Sequence, residues 1–538
     1  MRFFGSDKIE KISKTGFLFS LLVFIGVGGW LLYDYFNNSG KEEETNNTES
    51  TSTELADRMD NYPDKVILNE NLQDITIYDS KDKAVKLKSF EGKNIILIFW
   101  ASWCKYCKAE FADMEEYKKV LDAYEDTEII LVNKLDGEKE SKEQALNYLK
   151  ENNIPFDTYF DKDLKVYQEL GIKIVPTMLG IDKNGKLKVC KPGNLEDAGQ
   201  LAAFIDYLEY GASYATQNFI TDYLTDTEGG VRVNLKETGS ESPSGNDVLS
   251  ESQGILMEYA VLKEDKELFE EAFQYVKQFM LTDTKLAGWM VTGKKSAASN
   301  SLVDDLRIYK ALLKANELWG GYEDMLIYWE KNLYEYNTSN NHIVDSYDFK
   351  RKDKSRRITL CFADLESLAL LKDRVPEYGP VYDNALSAVE GGYISDDFPF
   401  YYSWYNYKKK DYEDTELNMA EALYTVWNLT KAGKQKETTI RWLKDKVASA
   451  GIKARYTISG QVVKGYSYES TAIYALAAMI GKEIGDEQLV TDAIARMELL
   501  RVNEKGSELN GSFGTNDGED IYSFDQCMAL LAYAVTDN

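Results

Sequence analysis

The spacing of apolar residues changes near residue 211, and this change constrains the fold more than any other feature of the chain. Before it, short apolar runs alternate with amphipathic segments, which is typical of an α/β domain. After it come twelve segments of about 12 to 18 residues with apolar positions at helical spacing. Twelve helices without a fixed-period repeat predict six paired hairpins rather than a four-helix bundle or a solenoid. We therefore expect an α/β domain over residues 65–210 and an all-α domain over residues 211–538.

The N-terminus contains an apolar run over residues 16–36, preceded by four basic residues. A run of about 20 apolar residues is long enough to cross a bilayer, and basic flanks remain on the cytoplasmic side. A cleaved signal peptide is the alternative, but the run lacks a clear small-x-small site, and no early cysteine could carry a lipid. We predict an uncleaved transmembrane anchor over residues 1–36, followed by a polar, disordered linker over residues 37–64. The protein is then a single-pass cell-membrane protein with a cytoplasmic N-terminus and an extracytoplasmic bulk.

Composition excludes several classes of function. The chain has 63 Lys and Arg against 90 Asp and Glu, a net charge of -27, which disfavours nucleic acid as a partner. It has one histidine, His342, which removes most zinc sites and Ser-His mechanisms. Five cysteines, three of them scattered, do not form a disulfide framework. We expect no metal and no other cofactor.

Two thiols stand two residues apart in "WCKYC", directly after the apolar run "NIILIFW". This order places Cys104 at the start of a helix, where unpaired backbone N–H groups favour a thiolate and lower the pKa of the thiol. Cys107, one turn further on, would resolve a mixed disulfide. A structural disulfide or half of a metal site is the alternative, but no second cysteine pair completes a metal site. The motif predicts a redox-active dithiol with Cys104 as the attacking thiol.

The residues around this motif resemble membrane-anchored thioredoxin-like proteins of the cytochrome-maturation and disulfide-reductase type. The resemblance covers about residues 66–210 and rests on the following residues: Trp103, Cys104, Cys107, Glu110, Phe111 and the segment "IVPT" with Pro176. It implies that Val175 and Pro176 pack beside the dithiol with a cis peptide bond between them. It also implies client proteins that supply thiols or disulfides.

Acidic residues begin two of the predicted helices in the second domain. Glu251 starts one of them, and Asp304 and Asp305 start another. Carboxyl groups at helix starts can meet a substrate at the mouth of a helical barrel. Capping is the alternative, because Ser250 and Gln253 have the residue types and spacing of a capping box.

The order of segments in this domain resembles glycoside hydrolase family 8. That resemblance implies an (α/α)6 barrel that cleaves β-linked polysaccharides with inversion. It places the general acid on Glu251 and substrate-binding positions on Asp304 and Asp305, while Val303 stands where the family has a sugar-binding aspartate. An inverting enzyme needs a protonated carboxyl and a carboxylate base about 6.5 to 9.5 Å apart.

The base best matches the segment "DYEDTELNMAEAL", in which Glu413 and Asp414 are the candidates. Gapless matching favours Glu413, but we predict Asp414, three residues after Asp411 at an expected helix start. The arginine that the family has nearby is absent. The preceding aromatic run predicts sugar-binding rings, and the candidates are Tyr401, Trp404, Tyr405 and Tyr407.

These observations predict a membrane-tethered protein with a glycan-cleaving barrel and a thioredoxin-like dithiol domain. Two alternatives remain. In the first, the protein is a thiol-disulfide oxidoreductase whose barrel only binds glycan. In the second, the barrel is a scaffold for exopolysaccharide synthesis. The departures at Val303 and at the missing arginine favour the alternatives, and Glu251 with its acidic neighbours favours the hydrolase.

Overall fold

The computed structural model describes residues 71–537 except 196–197, 237–242, 244, 503–507, 510, 516–517 and 519. The predicted anchor and linker, residues 1–64, lie outside the described residues. The described residues divide between Tyr214 and Ala215 into an α/β unit and a helical unit. Among the helices of the described part, none combines the length and the apolar character that crossing a bilayer requires.

The α/β unit is built on a seven-stranded sheet with the order β2-β1-β5-β4-β3-β6-β7. Its strands are β1 (Thr76–Tyr78), β2 (Ala84–Lys86), β3 (Asn94–Trp100), β4 (Thr127–Leu135), β5 (Thr158–Lys162), β6 (Thr177–Ile181) and β7 (Leu187–Pro192). Its helices are α1 (Lys105–Glu110), α2 (Met114–Leu121), α3 (Lys142–Glu151), α4 (Lys165–Glu169) and α5 (Ala198–Tyr210). Strands β3, β4 and β5 are parallel, and β6 pairs antiparallel with β3.

The central strand β3 determines where the dithiol lies. All seven of its residues are buried, because apolar clusters cover both faces of the sheet. Helix α1 starts at Lys105, shortly after the carboxyl end of β3. The thiol motif therefore lies at the carboxyl end of a central strand whose residues are all buried.

The helical unit contains twelve α-helices among its described residues, as predicted. They are α6 (Ser213–Phe219), α7 (Ser250–Leu262), α8 (Lys266–Tyr275), α9 (Leu302–Trp319), α10 (Glu323–Asn337), α11 (Leu365–Arg374), α12 (Gly379–Gly391), α13 (Met419–Lys431), α14 (Glu437–Ala448), α15 (Thr471–Glu483), α16 (Glu487–Glu498) and α17 (Ser523–Asp537).

Every second helix belongs to an inner ring. Helix α7 contacts α9, and the contacts continue through α11, α13 and α15 to α17, which contacts α7 again. Burial separates this ring from the outer helices. In α7 every residue from Ser250 to Val261 is buried, whereas α14 buries only a stripe at Thr439, Leu443 and Val447. Two concentric layers of helices explain both patterns, because an inner helix has neighbours on all sides.

Short strands precede the inner helices. They are β8 (Val248–Leu249), β9 (Met290–Thr292), β10 (Lys295–Ser296), β11 (Thr338–Ser339), β12 (His342–Ile343), β13 (Tyr347–Asp348), β14 (Asp353–Lys354), β15 (Arg357–Thr359), β16 (Trp404–Asn406), β17 (Asp411–Tyr412), β18 (Glu416–Asn418) and β19 (Arg455–Thr457). They pair as small antiparallel sheets. These sheets and the first turns of the inner helices lie at the same end of the ring.

Candidate active sites

The dithiol lies where β3 meets α1. Cys104 is the N-cap residue of α1, and its Sγ accepts a hydrogen bond from the backbone N–H of Cys107 at 3.4 Å. The Cys104 thiol also donates to the carbonyl oxygen of Val175 at 3.2 Å, next to the cis peptide bond between Val175 and Pro176. Both thiols are free, and Cys104 is 6% exposed against 1% for Cys107. Cys104 is thus the more accessible nucleophile.

Burial favours the thiol form of Cys107. It raises the pKa of Cys107 well above the usual range, and the Cys104 and Glu110 side chains raise it further. The Glu110 carboxyl is itself buried, which raises its pKa. It accepts hydrogen bonds from the Tyr117 hydroxyl at 2.6 Å and from the Leu195 backbone N–H at 3.0 Å. Cys107 therefore keeps its proton until a mixed disulfide at Cys104 has to be resolved.

A second buried carboxylate fixes the turn before Cys104. Glu140 accepts from the backbone N–H of Ser102 at 3.0 Å, from its hydroxyl at 2.8 Å, and from Asn133 Nδ2 at 3.0 Å. Nothing in the sequence marks Glu140 for this role, because only the fold brings the loop after β4 against the loop after β3. The network holds the nucleophile in one geometry.

In the helical unit, Glu251 lies in the first turn of α7 and is buried. Burial raises its pKa to about 8, and the nearby Asp304 carboxyl adds to this shift. Its Oε1 atom has no hydrogen-bond partner among the described residues. A neutral carboxyl with an uncommitted oxygen can donate a proton to a substrate.

Asp304 lies near Glu251, but both of its carboxyl oxygens accept hydrogen bonds. Its oxygens accept from Ser250 Oγ at 2.8 Å and from Arg307 Nη1 at 2.9 Å. Arg307 is fully buried and also donates to the Tyr424 hydroxyl at 2.9 Å. The Arg307 guanidinium therefore bonds to Asp304 and not to Glu251, and burial raises the pKa of both carboxyl groups.

Two further acidic residues at helix starts were not predicted. Asp525 lies in the first turn of α17, where burial raises its pKa to about 6, and its charge adds to the pKa shift of Glu251. A hydrogen bond of 2.8 Å between Ser252 and Ser523 holds the first turns of α7 and α17 together. Glu421 lies in the first turn of α13, where burial raises its pKa to about 7. Both residues lie near the starts of helices that the sequence predicts, but the sequence does not show which of the helices form the inner ring.

The capping alternative at the start of α7 is wrong. Ser250 and Gln253 form no capping box, because Leu249 is the N-cap residue of α7. Gln253 instead bonds to backbone groups such as the N–H of Val231. Asp305 is fully buried, and its two oxygens accept from Ala287 N and Asn300 Nδ2 in the loop before α9. Its substrate-binding role stays a prediction.

The predicted base residues do not lie at a helix start. Helix α13 begins at Met419, because residues 416–418 form a strand instead of a first helical turn. Asp414 Oδ1 accepts from the backbone N–H of Thr415 at 2.8 Å within the preceding turn. Glu413 forms an ion pair with Lys409, which holds the pKa of its carboxyl below the usual range. The catalytic role of Asp414 or Glu413 stays a prediction, without its helix-start argument.

The aromatic run, residues 398–407, contains the short strand β16. Tyr401 is buried against Tyr393, and its role as a sugar-binding ring stays a prediction. Trp404 and Tyr405 belong to β16 and are half-buried, with the Arg357 guanidinium 4.5 Å from the Trp404 ring. The half-buried Tyr407 donates its hydroxyl to the carbonyl of Ile343 at 2.7 Å. Trp404, Tyr405 and Tyr407 are the more exposed of the four predicted sugar-binding rings.

Within the residues that the structure describes, no cluster of three or more His, Cys, Asp or Glu side chains has the geometry of a metal site. The acidic first turns nevertheless bring Glu251, Asp304 and Asp525 together, which suits proton transfer.

Known proteins of more than one kind are similar to parts of this chain. Residues 68–190 match the AhpC/TSA family. The thiol-disulfide oxidoreductase ResA of Bacillus thuringiensis is 31% identical over 125 residues, which are 23% of this chain and 69% of ResA. The protein YdaJ of Bacillus subtilis is 26% identical over 308 residues, which are 55% of this chain and 81% of YdaJ.

Solved structures extend the comparison. A structure described as a novel alpha-amylase from Clostridium perfringens shares 30% identity and covers 60% of this chain and 97% of its own, with a TM-score of 0.57. Family 8 glycosyl hydrolases are also among the structural neighbours, such as endoglucanase Cel10 of Klebsiella pneumoniae, with 14% identity over 60% of this chain and 99% of Cel10 and a TM-score of 0.43.

Proposed function

This chain belongs to the thiol-disulfide oxidoreductase family that includes ResA, and from this premise we propose that it is a bifunctional envelope protein. Its thioredoxin-like domain exchanges thiols and disulfides with client proteins. Its glycosidase-like domain cleaves a polysaccharide. An N-terminal helix over residues 1–36 tethers both outside the cytoplasm, a proposal supported by the apolar run and its basic flank.

One observation carries the redox function. Cys104 caps α1 beside the cis peptide bond at Pro176, with Cys107 one turn away and protonated. The proposed reaction starts with attack of the Cys104 thiolate on a client disulfide, and Cys107 then displaces the client from the mixed disulfide. The direction of net electron flow follows from the reduction potential of the pair against that of its client.

The buried Glu251 carries the hydrolase function. At pH 7 its carboxyl holds a proton, because its pKa is raised to about 8. We propose that Glu251 protonates the leaving glycosidic oxygen and that a second carboxylate activates water on the opposite face of the sugar, with inversion. Asp414 is the predicted base, and Glu421 and Asp525 are two further candidates, each in the first turn of an inner helix.

Two substrate classes follow from different observations. The resemblance of the helix-start motifs to family 8 favours a β-linked glycan. Similarity to a structure described as an alpha-amylase favours an α-glucan. Release of reducing ends should therefore be measured on β-1,4-glucan, xylan, chitosan and amylose, with wild type and Glu251→Gln side by side. Release by wild type but not by the variant supports hydrolysis, and equal release by both contradicts the role of Glu251.

Glycan binding without cleavage is the second candidate function. It is favoured by the hydrogen bonds that the Glu413 and Asp414 carboxylates already accept, from Asn406 Nδ2 and from the backbone N–H of Thr415. A wild-type protein that binds one of these glycans and releases no reducing ends establishes this second candidate.

A further inference from the structure

Apolar side chains surround the dithiol on the surface of the α/β unit. Trp103 is 44% exposed, Tyr106 is 56% exposed and Ile174 is 52% exposed. Trp103 and Tyr106 flank Cys104 in sequence, and Ile174 precedes Val175, whose carbonyl accepts the hydrogen bond of the Cys104 thiol. Three large apolar groups are therefore displayed around one reactive sulfur.

Lysines lie over these aromatic rings. The Lys105 ammonium is 4.6 Å from the centre of the Tyr106 ring. Lys139 and Lys134 approach the Trp103 ring, at 5.8 Å and 6.0 Å. In the described part of the chain, none of these three ammonium groups forms a salt bridge with a carboxylate. Their positive charge is available to a partner.

The acidic groups of this region are mostly bound within the protein, with the exposed Glu138 beside Lys139 as the exception. Glu110 and Glu140 are buried and accept hydrogen bonds from the protein itself. The Asp136 carboxylate accepts from the backbone N–H groups of Glu138, Lys139 and Glu140. The surface next to Cys104 is thus apolar and basic in a chain whose net charge is -27.

We propose that this surface selects client polypeptides in which acidic residues flank the disulfide-bonded cysteine. Acidic side chains would lie near Lys105, Lys134 and Lys139, and an apolar residue would contact Trp103 or Ile174. Charge complementarity of this kind raises the association rate more than the intrinsic reactivity of the thiol. The inference rests on the proposed thiol exchange, and it adds the chemistry of the partner.

The exchange step balances within the two molecules. The Cys104 thiolate attacks one sulfur of the client disulfide, which forms a mixed disulfide and releases one client thiolate that takes up a proton. Cys107 then loses its proton, its sulfur attacks Cys104, and the second client thiol leaves. The dithiol loses two electrons and the client disulfide gains them.

The test uses two disulfide-linked peptide dimers that differ only in the residues beside the cysteine, three Glu or three Lys. Reduced full-length protein is mixed with each dimer, and every rate is divided by the rate with dithiothreitol to remove the reactivity of the peptide itself. At low ionic strength we expect a preference of about 10-fold for the Glu peptide. At about 1 M salt the preference should fall towards unity, since the Debye length is then about 3 Å.

Charge variants test the origin of the preference. The triple variant Lys105→Glu, Lys134→Glu, Lys139→Glu should reverse it. Lys88→Glu is the matched control, because Lys88 is exposed and precedes β3, at the end of the strand opposite to Cys104. The control should keep the wild-type preference.

A neutral small disulfide, bis(2-hydroxyethyl) disulfide, separates the two possible failures. If wild type does not exchange with it, the proposed oxidoreductase function fails. If wild type exchanges with it but reduces both peptides equally at low salt, the inference about acidic clients is overturned. An unchanged preference in the triple variant overturns it as well.

Discussion

The two units of this protein build their reactive groups over very different lengths of chain. In the α/β unit, Cys104 and Cys107 lie on one turn of chain next to a single strand. In the helical unit, the acidic groups come from different helices, and the hydrogen bond that joins the first turns of α7 and α17 spans 271 residues. A site made of one turn is visible as a motif, whereas a site made of helix starts exists only after the ring has closed.

The units also use buried carboxyl groups differently. Burial raises the pKa of both Glu110 and Glu251. The oxygens of Glu110 accept from Tyr117 and Leu195, while Glu251 has an oxygen without a partner among the described residues. A raised pKa alone thus does not distinguish a structural carboxyl from a proton donor. A carboxyl oxygen without a hydrogen-bond partner does.

The largest effect is expected in the local site. Cys104→Ser should lower thiol-disulfide exchange by more than about 10³-fold, because a hydroxyl does not replace a thiolate as nucleophile. Cys107→Ser should instead accumulate a mixed disulfide at Cys104, seen by mass spectrometry without reductant. Accumulation of this adduct in Cys104→Ser rather than in Cys107→Ser would reverse the roles of the two thiols.

In the non-local site, Glu251→Gln should lower glycan turnover by about 10² to 10⁴-fold while binding is retained. Glutamine keeps the volume but carries no acidic proton. Reducing-end release and equilibrium binding should be measured on the same glycan. Glu110→Gln is the comparison variant, and it should leave glycan turnover unchanged.

Arg307→Leu should destabilise the protein by about 3 to 5 kcal/mol, because it leaves buried carboxyl groups without their cation. Urea unfolding at pH 7, monitored by circular dichroism, gives the change in the free energy of unfolding. Arg351→Leu is the control, since its side chain is 75% exposed beside Asp348, and the change there should be about 0.5 kcal/mol or less. Equal losses in the two variants would show that the buried network contributes nothing specific.

Hydrolysis should decline in alkaline solution. A general acid works only while protonated, so activity is present below the raised pKa of Glu251, about 8, and is lost as pH rises through it. At pH 9, kcat/KM should be about one-tenth of its plateau. If Glu251→Gln shows the same loss of kcat/KM at alkaline pH as wild type, the titrating group is not Glu251.

The candidate bases are separated by three variants. Asp414 stays the predicted base, so Asp414→Asn should lower turnover by about 10²-fold or more. Glu413→Gln should have the smallest effect, less than about threefold, because Lys409 and Asn406 already bind that carboxylate. A larger loss in Glu421→Gln than in Asp414→Asn would move the base to Glu421, which lies in a first turn of the inner ring.

Which residues could be predicted depends on whether a site comes from one turn of chain or from several helices. The strand before Cys104 and the helix after it were predicted because their signals are local. Glu251 was placed correctly in a first turn, but its neighbour Ser250 bonds to Asp304 on another helix rather than capping its own.

Tertiary pairing explains the other differences. Residues 416–418 carry a helical pattern, but they pair with residues 455–457 as strands, which moves the helix start away from Asp414. Asp525 and Glu421 were missed because nothing within about one turn of either residue shows that an inner helix lies there.

The bond between Ser252 and Ser523 also bears on the order in which the protein is made. Contacts between α7 and α17 give the helical unit a high contact order, because a ribosome must have synthesised the chain to Ser523 before the ring can close. The sheet of the α/β unit is complete at β7 and can form while the ring is still being made. During synthesis, the apolar faces of α7 and α9 stay exposed the longest, and this interval is when the nascent chain most needs protection from aggregation.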